Sequence, residues 1–148
     1  MKKLFFILLT VWSLAVPARE KEVRLKIIET TDIHGNYFPY DFLNRRPGTG
    51  GLSRVCTYVR SQREALGRDA VVLLDNGDIL QGQPSAYYYN FIDTTSVHVC
   101  SAMLNYMSYD AGTVGNHDIE TGHPVYDRWT AACDFPVIAA NATDTRTA

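Results

Sequence analysis

The sequence predicts an α/β protein built on a mostly parallel sheet. Two observations predict it. Short apolar runs alternate with amphipathic stretches along most of the chain, the pattern of strands joined by helices of about 10–15 residues. Three of those runs are each followed at once by a polar, glycine-containing island: Thr31-Asp32-Ile33-His34-Gly35, Asn76-Gly77-Asp78 and Gly115-Asn116-His117-Asp118. Open α/β sheets bind ligands beyond the carboxyl ends of their strands, where all three islands fall.

The elements follow in order. Val23 to Glu29 is the first predicted strand, with Val23, Leu25 and Ile27 on one face and Ile28 on the other. Asn36 to Gly50 is a loop rich in Asn, Pro, Gly and Arg. From Leu52 the apolar residues Val55, Val59 and Leu66 recur at helical spacing, and Gly67 ends this helix as a C-terminal cap. Ala70 to Leu74 is a continuous apolar run, expected of a strand buried on both faces. Thr94 to Met107 is a second amphipathic helix, capped by Thr94 or Thr95, with Val97, Cys100, Met103, Leu104 and Met107 in one stripe. Ala111 to Val114 is a third strand, Pro124 to Cys133 a third helix and Pro136 to Ala140 a fourth strand.

Composition narrows the class. A chain of 148 residues with 46% apolar and 20% charged residues suits one globular domain. A net charge of -2 without a basic stripe argues against a nucleic-acid polymer as partner. At the N-terminus, Lys2 and Lys3 precede an apolar stretch from Leu4 to Val16 and a small-residue site at Val16-Pro17-Ala18. This is the pattern of a cleaved signal peptide over residues 1–18, too short for a stable membrane anchor. It places residues 19–148 in the periplasm or outside the cell. Cys56, Cys100 and Cys133 lack the spacing of a zinc or redox motif. Free thiols are expected for Cys56 and Cys100, and a single disulfide would have no partners assignable from sequence.

The islands carry the chemistry. In Asp32-Ile33-His34 a carboxylate and an imidazole two residues apart can converge on one ion. Asp78 offers two oxygens and can bridge two cations about 3.5–4 Å apart. Asp75 is either a rival ligand or the residue that orients this loop. The amide oxygen of Asn116 is a neutral ligand for a second ion. His117 beside it can meet substrate as an acid or as an oxyanion partner. Such a pair of divalent ions makes hydroxide available at neutral pH and holds a phosphoryl group for in-line attack.

The order D-x-H, G-D, G-N-H-D resembles the calcineurin-like metallophosphoesterase superfamily. The longer stretches Thr30 to Gly35, Asp75 to Gly82 and Tyr109 to Asp118 look like its secreted 5′-nucleotidase and 2′,3′-cyclic-nucleotide 2′-phosphodiesterase branch, over nearly all of Leu25 to Asn141. The resemblance implies a metal-dependent hydrolase acting on a nucleotide, with a two-sheet αββα sandwich and two divalent ions such as Zn or Mn. Asp32 and His34 would hold the first ion, Asp78 would bridge, Asn116 would hold the second, and Asn116 and His117 would meet substrate. His117 would be the catalytic residue, with Glu120, three residues on, as its carboxylate support.

The resemblance covers only the first half of that fold. The further Gly-His and Gly-His-x-His ligands of the family have no counterpart, since His98 and His123 match neither. His98 is expected on a solvated helix face, and His123 at a helix start or on the surface. The missing C-terminal half would then be a partner of this chain. The alternative expectation is a catalytically incomplete secreted fragment that binds metal weakly or needs another chain. A relative acting on sulfur-linked substrates would share the same motifs. Asn141 is taken as the end of the fourth strand, although Asn141-Ala142-Thr143 is formally a glycosylation sequon. Tyr87, Tyr88, Tyr89 and Phe91 are taken as a packed, partly exposed aromatic segment.

Overall fold

The computed structural model describes residues 22–139. The predicted signal peptide and the Asn141 strand end lie outside the described residues.

Four strands, β1 (Lys26–Thr30), β4 (Val71–Asp75), β5 (Ala111–Thr113) and β6 (Val137–Ile138), form one parallel sheet in the order β1-β4-β5-β6. The register pairs Ile28 with Leu73, Leu74 with Ala111, and Thr113 with Ile138. Helices α1 (Leu52–Leu66), α3 (Val99–Met107) and α5 (His123–Ala131) form the other layer, with short α2 (Pro84–Tyr87) and α4 (Asn116–Ile119) beside the strand ends. The α/β class and the parallel sheet are as predicted.

Core residues come from both layers: Ile28, Val71 and Leu73 from the sheet, and Leu52, Val59, Leu104, Met107, Val125 and Trp129 from the helices. The opposite sheet face is uncovered among the described residues. Ile27 is 66% exposed and Ile138 53%, while Val72 and Leu74 on β4 are half-buried. Continuous apolarity therefore overstated the burial of this strand, because helices cover only one of its faces. Parallel sheets are ordinarily covered on both.

Other elements depart from expectation for local reasons. The loop at 36–50 contains a small hairpin, β2 (Tyr40–Asp41) against β3 (Arg46–Pro47). Asp41 closes its turn, accepting from the N–H groups of Leu43 and Asn44 at 3.1 and 3.0 Å. Helix α3 begins at Val99 rather than Thr94. Asp93 accepts from the Ser96 N–H at 3.0 Å, so that segment is held in its own turn. Val97 is consequently exposed instead of belonging to the apolar stripe. His98 is not solvated: it is the N-cap of α3 and is buried, its Nδ1 accepting from the Cys100 N–H at 3.2 Å. Residues 88–92 form one π-helical turn after α2. His123 starts α5, in contact with Tyr126 and Asp127. All three cysteines are free. No helix among the described residues is long and apolar enough to cross a membrane.

Candidate metal centre

Each island leaves its strand and turns sharply. Asp32, His34 and Asp78 adopt positive φ values of 52°, 49° and 56°. Non-glycine residues in this region cost about 1–3 kcal/mol each and persist only where surrounding contacts hold them. Here the contacts are explicit. The first loop is fastened to the second by three backbone hydrogen bonds: Asp32 N–H to Gly77 O (3.1 Å), His34 N–H to Asp78 O (2.9 Å) and Gly35 N–H to Ile79 O (3.0 Å).

The second loop is fastened to the third by a residue to which the sequence motifs assigned no role. Asp118, fully buried, accepts from four backbone N–H groups. Oδ2 takes those of Asp78 (2.7 Å) and Gly115 (2.9 Å). Oδ1 takes those of Ile79 (2.9 Å) and Leu80 (2.8 Å). The only sequence signal was its place as an acidic third residue of a short helix, where a carboxylate can reach back to the cap. Asp78 Oδ1 reciprocates by accepting from the His117 N–H at 2.9 Å.

These ties bring His34, Asp78 and His117 together, with one donor atom from each within 4.8 Å of the others. Asp32 stands beside them, its Oδ1 3.7 Å from His34 Nε2. The His34 and His117 rings meet edge-on at 5.2 Å. Asn116 is the exposed first residue of α4, adjacent in the chain to His117. The His34 imidazole and the Asp78 carboxylate are donors that suit a borderline divalent cation, and His117 faces the same point. His34 is oriented for such a role. Its Nδ1 lies 3.1 Å from the Gln81 carbonyl, which can only accept, so in the neutral ring Nδ1 carries the proton and Nε2 presents the lone pair.

His117 Nδ1 lies 2.9 Å from Glu120 Oε2. That hydrogen bond raises the imidazole above its ordinary range, favouring the protonated ring. Glu120 thus stands where the family resemblance placed it.

Asp75 orients the loop. Its Oδ2 accepts from the Gly77 N–H at 3.1 Å, and its Oδ1 accepts from Thr30 Oγ1 at 2.7 Å. Thr30 also contacts the Tyr109 hydroxyl at 2.9 Å. Burial pushes the Asp75 carboxyl up to about 6. A raised carboxyl pKa means that the folded state holds the proton more tightly than the unfolded chain. The stabilisation is therefore full below about pH 4 and is lost as pH rises through about 6. Asp75→Asn keeps both contacts by turning its amide toward Thr30. Urea titrations of the metal-free chain should show the variant more stable by about 2–3 kcal/mol at pH 7, with the pH 4–6 slope reduced. An unchanged slope would assign the pH dependence elsewhere.

No family model matches the chain. The trifunctional nucleotide phosphoesterase protein YfkN of Bacillus subtilis (strain 168) is 34% identical over 131 residues, which is 84% of this chain. A 2′,3′-cyclic-nucleotide 2′-phosphodiesterase/3′-nucleotidase of Yersinia enterocolitica is 30% identical over 133 residues, or 88% of the chain. The match spans only 9% of the former's length and 20% of the latter's. The crystal structure of the calcineurin-like phosphoesterase YfkN from Bacillus subtilis superposes with a TM-score of 0.74, covering 84% of this chain and 39% of that one. The sequence relatives and the superposed structure agree: the chain belongs to the calcineurin-like phosphoesterases, on the branch of the nucleotidases and 2′,3′-cyclic-nucleotide phosphodiesterases.

Proposed function

We propose that this chain carries metal and substrate ligands of a periplasmic or secreted nucleotide phosphoesterase, one that hydrolyses a phosphomonoester or a 2′,3′-cyclic diester. The observation that carries the reading is the convergence of His34, Asp78 and His117 at the ends of three neighbouring parallel strands. Asp32 and His34 would hold a first divalent ion, and Asp78 and Asn116 would supply donors for a second. Zinc, manganese or a similar ion supplies Lewis-acid polarisation of the phosphoryl oxygens and a nucleophile at neutral pH. His117, whose protonated form the Glu120 hydrogen bond favours, donates to the departing oxygen or to a phosphoryl oxygen. A small nucleotide suits this site better than a polymer, since the net charge of -2 offers no basic track.

A second reading has its own support. The uncovered sheet face around Ile27 and Ile138 favours a chain that binds metal but turns over only with further polypeptide packed against that face. Titration of the purified chain with Co²⁺, followed by its visible absorption, tests the ligand set. Phosphate release from a nucleoside 5′-monophosphate and a 2′,3′-cyclic nucleotide separates the two readings. Asp78→Ala should weaken Co²⁺ binding by more than the 10–100-fold typical of residues that merely orient a ligand. Wild-type affinity in that variant would sink the assignment. Metal binding without phosphate release would select the second reading.

A further inference from the structure

Two buried polar side chains between the Asp78 loop and helix α3 have no part in the site described above. Asn90, in the π-helical turn, and His98, at the cap of α3, are 3% and 1% exposed. Their hydrogen bonds form one directed chain. The Cys100 N–H can only donate, so His98 Nδ1 accepts, at 3.2 Å. The neutral ring then carries its proton on Nε2, which donates to Asn90 Oδ1 at 2.8 Å. Asn90 Nδ2 in turn donates to the Leu80 carbonyl at 2.7 Å. Burial, with the nearby Arg128 charge, lowers the imidazole to about 4, which keeps this arrangement at neutral pH. Leu80 is also the last residue whose N–H is held by Asp118, so its peptide groups are gripped on both sides.

We propose that Asn90 and His98 are positioning residues for the Asp78 loop, transmitting the rigid start of α3 through the Leu80 carbonyl to the carboxylate of Asp78. Capping a helix would need only the Nδ1 contact. The second contact, through Nε2, reaches out of the helix toward the centre. A carboxylate at a strained φ of 56° depends on such supports to stay aimed. The consequence for metal affinity rests on Asp78 being a ligand; the consequence for the loop does not.

The two contacts of His98 can be separated by substitution. Asn places its carbonyl oxygen near Nδ1, so His98→Asn keeps the cap and cuts the link to Asn90. Gln places its amide N–H near Nε2, so His98→Gln keeps the link and loses the cap. Amide hydrogen exchange is read in the metal-free chain, alongside thermal midpoint and Co²⁺ affinity. In His98→Asn the amides of Asp78, Ile79 and Leu80 should exchange about tenfold or more faster, with the thermal midpoint little changed. Co²⁺ affinity should fall by 10–100-fold. In His98→Gln the Cys100 amide opens and the midpoint falls, while the three loop amides stay protected. Asn90→Asp keeps the acceptor for His98 but loses the N–H toward Leu80; it should open the loop as His98→Asn does, and serves if that variant does not fold.

The proposal is overturned if the loop amides remain protected in His98→Asn and Asn90→Asp, or if His98→Gln opens them as far. A wild-type chain that binds no Co²⁺ would instead remove the metal reading of Asp78, and the exchange data would still decide the role of His98.

Discussion

Asp118→Ala is expected to cost this chain more than any other single truncation of a side chain near the site. The carboxylate is the shared acceptor for the N–H groups of Asp78, Ile79, Leu80 and Gly115. Hydrogen bonds to a charged group contribute about 1.5–3 kcal/mol each, and a buried donor left unsatisfied costs about 1–3 kcal/mol. Truncation leaves four such donors facing a cavity, so a loss of at least about 4–5 kcal/mol is expected, a large part of the 5–15 kcal/mol typical of a domain. Asp118→Asn should fall between, because the amide retains one acceptor oxygen and turns an N–H toward the remaining donors. Urea unfolding measures the loss, and amide exchange at Asp78 to Leu80 shows where it falls. A loss under about 1 kcal/mol for Asp118→Ala, with those amides still protected, would mean that the carboxylate does not hold the loops together.

Gly115→Ala should rank second. Its backbone lies at φ -94°, an ordinary value for any residue, so the objection is steric. A Cβ there would stand 2.6 Å from both the Asp78 Cγ and the Asp78 backbone nitrogen. Neither can yield cheaply, since the nitrogen is backbone held by Asp118 and the carboxylate accepts from the His117 N–H. Overpacking of this kind costs about 1–3 kcal/mol, and the displacement falls on the residue proposed to be shared between two ions. Co²⁺ affinity should therefore drop further than stability does. Gly67→Ala is the control. It carries a φ of +91° but has nothing within 4 Å of the added carbon, so only backbone strain is introduced. Equal metal affinity in the Gly115 and Gly67 variants would refute a role for this close approach.

Much of the architecture was legible because it rests on local periodicity. Leu52 to Leu66 was bounded correctly at both ends, since apolar spacing and Gly67 report helix and cap independently. The four strands of the parallel sheet were found, with boundaries within three residues, because a short apolar run between polar islands is too short for a helix and too apolar for a loop; the hairpin of β2 and β3 was not. Local signals misled where two of them competed. Thr94 and Thr95 are good caps in isolation, but Asp93 captures that backbone in its own turn and passes the cap to His98. A histidine judged by its helix face looked solvated; two specific partners, Asn90 and Cys100, bury it.

At the centre the same division holds. Residue type, order and position after a strand were sufficient to nominate Asp32, His34, Asp78, Asn116 and His117, because ligand chemistry is a property of the side chains themselves. Packing alone shows that His34, Asp78 and His117 meet, that Gln81 sets the His34 tautomer, and that Asp118, Asn90 and His98 stand behind Asp78. Those relations link residues far apart in the chain, 47 positions for His34 with Gln81 and 40 for Asp78 with Asp118. Sequence patterns report what a residue prefers within a few neighbours. A hydrogen bond between distant loops depends on register and crossing of the whole sheet, and so it appears only once the chain has folded.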